Sequence, residues 1–171
     1  MAPDDGMPSG VTLPKVLSML AGPDRLLRVD GSFFLELFCG LASLTLACMV
    51  RGVPAVCPWD STYGDCFDVF LQSELLLTFA ASGRLAVCHL GMPCQSFTWA
   101  RSPAIRSWYD IWGFEDLKGQ SLSKVVNGNS LLIWSLIFCH TLCFARSYFV
   151  LESEDVIGLG GQAYFDGAQF G

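Results

Sequence analysis

Four short runs constrain this chain more than anything else in it: SFFLELF (32–38), VPAVC (53–57), RLAVCHL (84–90) and RSYFVLE (146–152). Each is apolar almost throughout. A strand of that kind is buried on both faces, which is the habit of a parallel sheet sandwiched between helices. Helical patterns separate the runs, at LASLTLACMVR (41–51), DCFDVFLQSELLLTFAAS (65–82) and QSLSKVVNGNSLLIWSLIFCHTLCFA (120–145). Gly52 and Gly83 stop the first two helices. The alternation predicts an α/β Rossmann-like fold with a mainly parallel sheet, right-handed crossovers and strand 32–38 central beside strand 84–90.

A chain of 171 residues suits one such domain, with enough interior to fold without disulfide staples. Residues 31–156 carry the strand–helix pattern. Residues 1–30 read as a loose leader rich in Pro, Gly and Asp, with one short helix at LPKVLSML (13–20). Residues 157–171 read as a Gly-rich tail that closes no element. Residues 96–119 read as a long loop holding Trp99, Trp108, Tyr109 and Trp112, with Arg106 among them.

Charge and cysteine usage narrow the function classes. The net charge is −6, and the ten Lys and Arg residues are scattered singly, so the chain lacks the basic cluster of a stand-alone nucleic-acid binder. Asp4 and Asp5 stand where a secretory signal would be positive, which predicts an intracellular, reducing setting. The eight cysteines are then free thiols, mostly small hydrophobes inside apolar runs. His89 and His140 have no companion ligands at zinc-site spacing, so no metal is expected.

Two stretches raise a membrane reading. Residues 33–50 carry one charge, Glu36, and residues 131–145 carry none. The second falls short of the roughly 20 residues that a span needs. In the first, a β-rich half gives way to a helical half at Gly40, which fits strand, turn and helix better than one long helix. A small two-span membrane protein remains the bland alternative.

The residues with chemical character fall where the strands end. Phe38, Cys39 and Gly40 close the first run; Pro58, Trp59 and Asp60 follow the second. Gly91, Met92, Pro93, Cys94 and Gln95 follow the third, and Glu152, Ser153 and Glu154 end the fourth. In open α/β sheets the carboxyl ends of the strands are where ligands bind. A thiol between proline and glutamine at a turn gains little by packing, which favours a nucleophilic role for Cys94 over a structural one.

In this order the motifs resemble the cytosine-C5 methyltransferases of DNA, with a related branch acting on tRNA. The resemblance runs from about Phe33 to Asp155. It implies a Rossmann-like methyltransferase domain that takes S-adenosylmethionine. Cys94 would be the nucleophile that adds to the base, and Glu152 the carboxyl group at N3 of cytosine. Phe38, Gly40, Trp59 and Asp60 would line the cofactor, with Trp59 stacking on adenine and Asp60 accepting from ribose. Pro93, Gln95, Ser96 and Arg101 would meet the substrate, a base flipped or single-stranded.

The sequence also departs from the family. Ala42 stands where the family has a second glycine, Pro58 where it has the ribose-binding acid, and Ser153 where it has asparagine. The Gln-x-Arg strand, the target-recognition region and the closing helix do not follow. The resemblance therefore implies a partial or degenerate catalytic domain. Its partner would be nucleic acid, DNA before RNA, once a recognition segment is supplied. A nuclear setting follows in a eukaryote, and self-association is expected through uncovered apolar surface. The alternative reading is a noncatalytic Rossmann-like relic with an interaction role.

Overall fold

The computed structural model describes residues 33–53, 58–93, 102–107, 109–152 and, for the backbone alone, 163–165. The expected leader with its helix at 13–20 and most of the strand at 53–57 lie outside the described residues.

The first strand, β1 (Phe33–Leu37), is buried along its whole length. It leads through a tight turn to helix α1 (Ser43–Val50). Two short 3-10 turns at Ser61–Tyr63 and Asp65–Phe67 precede helix α2 (Ser73–Ala81). Strand β2 (Leu85–Gly91) follows, then a loop, then the long helix α3 (Gly119–Phe144). Strand β3 (Tyr148–Glu152) and a three-residue strand β4 (Ala163–Phe165) complete the described chain.

The fold is mixed α/β around a small open sheet whose first three strands are parallel. Strand β2 lies between β1 and β3 and runs parallel to both. On the outer side of β1, Leu37 forms a parallel bridge with Trp59, so β1 has neighbours on both sides. Strand β4 pairs with β3 in the antiparallel sense. The tail expected to close no element therefore contains a strand; its composition hid a segment whose backbone simply continues the ladder at β3.

Register assigns the two faces, because partners in a parallel pair point the same way and successive residues point oppositely. Leu35, Cys88 and Phe149 are one row, and Leu37, Leu90 and Leu151 the next. These pack on Leu76, Phe79 and Ala80 of α2 and on Trp134, Phe138 and Leu142 of α3. Glu36, His89 and Val150 form a row on the opposite face.

Helix α1 sits on that second face, and Glu36 explains how it is held. Its carboxylate, 5% exposed, accepts from the Thr45 backbone N–H at 2.7 Å and from the Thr45 hydroxyl at 2.6 Å. The residue at the N-cap, Ala42, has no side chain that can cap. The strand carboxylate thus satisfies a first-turn donor that would otherwise lack an intrahelical partner, and it places negative charge at the helix N-terminus.

One helix differs from the sequence expectation. The pattern at 65–82 predicts one helix, but α2 begins only at Ser73. Asp68 Oδ1 accepts from the N–H groups of Phe70 and Leu71, and this local bonding competes with helix formation. The 33–50 stretch is a strand, a turn and a helix rather than a span. Helix α3 is long and apolar enough to cross a membrane by length and composition, and it is the only such helix among the described residues. One side of it, at Trp134, Phe138, Cys139 and Leu142, is buried against the sheet and α2.

Candidate functional site at the carboxyl edge of the sheet

The parallel register carries the motif ends to one edge. Leu37 pairs with Leu90 and bridges to Trp59, and Gly91 pairs with Glu152. Phe38, Asp60, Pro93 and Glu152 each follow or close one of these positions, so four segments that are distant in sequence leave the sheet side by side. Met92 N–H donates to the Glu152 carbonyl at 3.2 Å, and Phe38 N–H donates to the Trp59 carbonyl at 2.7 Å, which fastens the ends in pairs.

The turn after β1 is unusual in its backbone. Phe38, Gly40 and Ala42 all have positive φ, at 56°, 51° and 54°. Only the glycine adopts that region without steric cost. A side chain at Gly40 would meet nothing within 4 Å, so the backbone there faces open space. Ala42, by contrast, is fully buried.

The segment after Trp59 grips this turn. Asp60 Oδ2 accepts from Gly40 N–H at 2.9 Å, while Oδ1 accepts from the N–H and hydroxyl of Thr62 at 2.9 and 2.7 Å. The Tyr63 hydroxyl donates to the Gly40 carbonyl. The Cys39 thiol lies 3.8 Å from the same hydroxyl, and burial chiefly pushes this thiol up to about 12. It is therefore a neutral packing group at neutral pH rather than a nucleophile.

These contacts revise two expected roles. Trp59 is 0% exposed and packs edge-to-face on Phe67 with ring centroids 5.5 Å apart. An indole so enclosed offers no free face on which adenine could stack. Both Asp60 oxygens are engaged within the protein, so ribose would have to displace a turn contact. Phe38 remains at the turn, with its ring edge-on to Trp134 at 6.3 Å. Pro93 is exposed at the end of β2. Cys94, Gln95, Ser96 and Arg101 lie outside the described residues.

Glu152 is half-exposed, and its Oε2 lies 3.0 Å from His89 Nε2. This pair is not legible in the sequence, because 63 positions separate the two residues. Tyr63 was missed for a similar reason, since only the fold brings it to Gly40.

Arg106 ties its loop to α3. Its guanidinium donates to the carbonyls of Ile111 and Val125, the latter at 3.1 Å, and to Asn129 Oδ1 at 2.7 Å. Asn129 Nδ2 donates in turn to the Trp112 carbonyl at 3.0 Å. At Gly113, φ is 104° and a Cβ would sit 2.4 Å from Val125 Cγ1, so only glycine lets the loop lie this close to α3. Tyr109 and Trp112 stay exposed on the loop thus fixed. No group of three or more His, Cys, Asp or Glu side chains suited to a metal occurs among the described residues. Comparison with protein-family models found no match, and comparisons with curated proteins and with solved structures found none either.

Proposed function

We propose that this sheet edge is the site of a partial methyltransferase domain of the kind that methylates cytosine C5 in nucleic acid. The observation that supports it most is the meeting of the Phe38–Gly40 turn, Asp60, the Gly91–Pro93 turn and Glu152 at one edge. S-adenosylmethionine would supply the methyl group. The open backbone at Gly40 suits the approach of its methionine end; Trp59 and Asp60, in the arrangement described, do not offer the adenine and ribose contacts.

The chain's own residues would prepare the base. Cytosine C5 is too weak a nucleophile to act unaided. Cys94, the residue after Pro93, would add as thiolate to C6, moving the ring electrons toward C5. Glu152, with a proton on its free oxygen, would donate to N3 and favour that flow. After C5 is methylated, transfer of its proton to water would form the C5–C6 double bond, break the bond from C6 to Cys94 and release the thiolate.

A second reading is favoured by a specific observation. With Trp59 enclosed and Asp60 satisfied internally, the edge also suits a noncatalytic relic that keeps the fold and packs against a partner. The acidic balance agrees, since a net charge of −6 is repelled by duplex DNA carrying one charge per roughly 1.7 Å.

Calorimetry with S-adenosylhomocysteine separates the readings. A methyltransferase site gives measurable binding that Cys94→Ala leaves nearly unchanged, because the thiol acts on the base. Absence of heat at millimolar ligand leaves the relic. Residues 1–171 alone are expected to transfer no tritiated methyl to cytosine-rich DNA or tRNA at low salt. Turnover abolished by Cys94→Ala would restore full enzyme status to the chain.

A further inference from the structure

We infer that His89 is a positioning residue for Glu152, acting as an uncharged imidazole that donates from Nε2. The inference deepens the methyltransferase reading and rests on it for the identity of the ligand. The imidazole sits within β2 with its side chain 15% exposed, and Glu152 ends β3 with its side chain 49% exposed. Their separation of 3.0 Å is that of a good hydrogen bond.

The protonation pattern follows from the other ring nitrogen. His89 Nδ1 is buried and has no hydrogen-bond partner. An imidazolium needs acceptors at both nitrogens, and the Nδ1–H tautomer needs one at Nδ1. A buried N–H without an acceptor is costly, whereas a bare lone pair is a smaller loss. The form that fits is therefore neutral, with its proton on Nε2 and directed at the carboxylate. Glu36 faces the same side of the sheet one strand away, with both Thr45 bonds on its Oε2, and it makes no bond to His89 Nδ1.

The effect on Glu152 is orientational. One carboxylate oxygen is held from inside the sheet face, and the other remains for a ligand at the half-exposed edge. A Cβ at Gly91 would make an ordinary contact with His89 Cε1 at 3.6 Å and a tight one with the Phe38 carbonyl oxygen at 3.3 Å, so glycine there spares the Phe38 turn rather than the ring. A carboxyl group fixed in this way, with a proton on its free oxygen, suits a ring nitrogen that accepts, such as N3 of a 4-aminopyrimidine.

The test combines imidazole ¹⁵N spectra of the free protein with titration of 2′-deoxycytidine. At pH 7 the wild type should show a neutral ring with Nδ1 unprotonated and a downfield Nε2–H resonance that Glu152→Leu removes. His89→Leu should weaken deoxycytidine at least fivefold, and His89→Gln, which keeps an N–H donor, less than twofold. S-adenosylhomocysteine affinity should be the same in all three. An imidazolium, an Nδ1–H tautomer, or equal weakening by Leu and Gln would overturn the role. A wild type that binds neither ligand defeats the methyltransferase reading instead, and the ring spectra still decide how His89 holds Glu152.

Discussion

Ala42 shows how one side chain can be out of step with its backbone. It sits in the left-handed region at φ 54° and is wholly buried. Alanine there carries a strain of roughly 1–2 kcal/mol that glycine would not. Ala42→Gly should alter stability by less than about 1 kcal/mol, because relief of strain offsets a lost methyl worth about 0.8 kcal/mol and added chain entropy. Ala80→Gly, at an equally buried position inside α2, has no strain to relieve. It should cost about 1.5–2 kcal/mol. Urea denaturation of both variants checks the contrast, and equal losses would show that the turn is not strained at Ala42.

Among the elements, α3 joins the rest of the molecule together. Trp134 stacks on Phe138 at 5.1 Å, meets Phe38 edge-on, and donates from Nε1 to Ser73 Oγ at 2.8 Å. One side chain thus links α3 to α2 and to the turn at the candidate site. Trp134→Ala should cost about 3–5 kcal/mol, and by loosening Phe38 should also weaken any ligand held at that turn. Thermal unfolding with and without S-adenosylhomocysteine measures both effects; a variant that unfolds like the wild type would contradict the linkage. The opposite side of α3 presents Val126, Ile133, Leu136, Ile137 and Phe144 to solvent. This uncovered stripe is why the sequence allowed a membrane reading: hydropathy counts both sides of a helix, whereas only one is packed here.

For the whole molecule, burial of thiols sets the response to alkali. Cys39 and Cys139 are pushed up to about 12, and Cys88 is also raised, in each case chiefly by burial. Unfolded thiols ionise near pH 9, so between that pH and the folded values the unfolded chain loses protons that the folded one keeps. The stabilisation is complete below about pH 9 and is lost as pH rises. The urea midpoint under reducing conditions should hold level from pH 7 to about 8.5 and fall toward pH 11, less steeply in Cys139→Ala. A midpoint unchanged at pH 11 would contradict the burial of these thiols.

The sheet was legible because unbroken apolar runs require it, and the strand ends followed from counting along those runs. The site was legible only as a set of ends. Which partner each residue takes depends on register, which the sequence does not display: Asp60 on Gly40, Tyr63 on the same glycine, His89 on Glu152. Trp59 was a ligand platform only through the resemblance; its enclosure comes from Phe67 and the neighbouring strand, eight and more positions away.

The parallel register has a consequence for how such a chain tolerates change. The groups that support the sheet, such as Leu35, Cys88 and Phe149, lie in its middle rows, while the residues with chemical character sit where the backbone leaves it. Substitutions at the exits leave those rows packed, and substitutions in the rows leave the exits chemically intact until the sheet itself gives way. Residues at this edge can therefore be exchanged one by one without passing through an unfolded intermediate. The same separation lets the chemistry offered at the edge change through its loops alone.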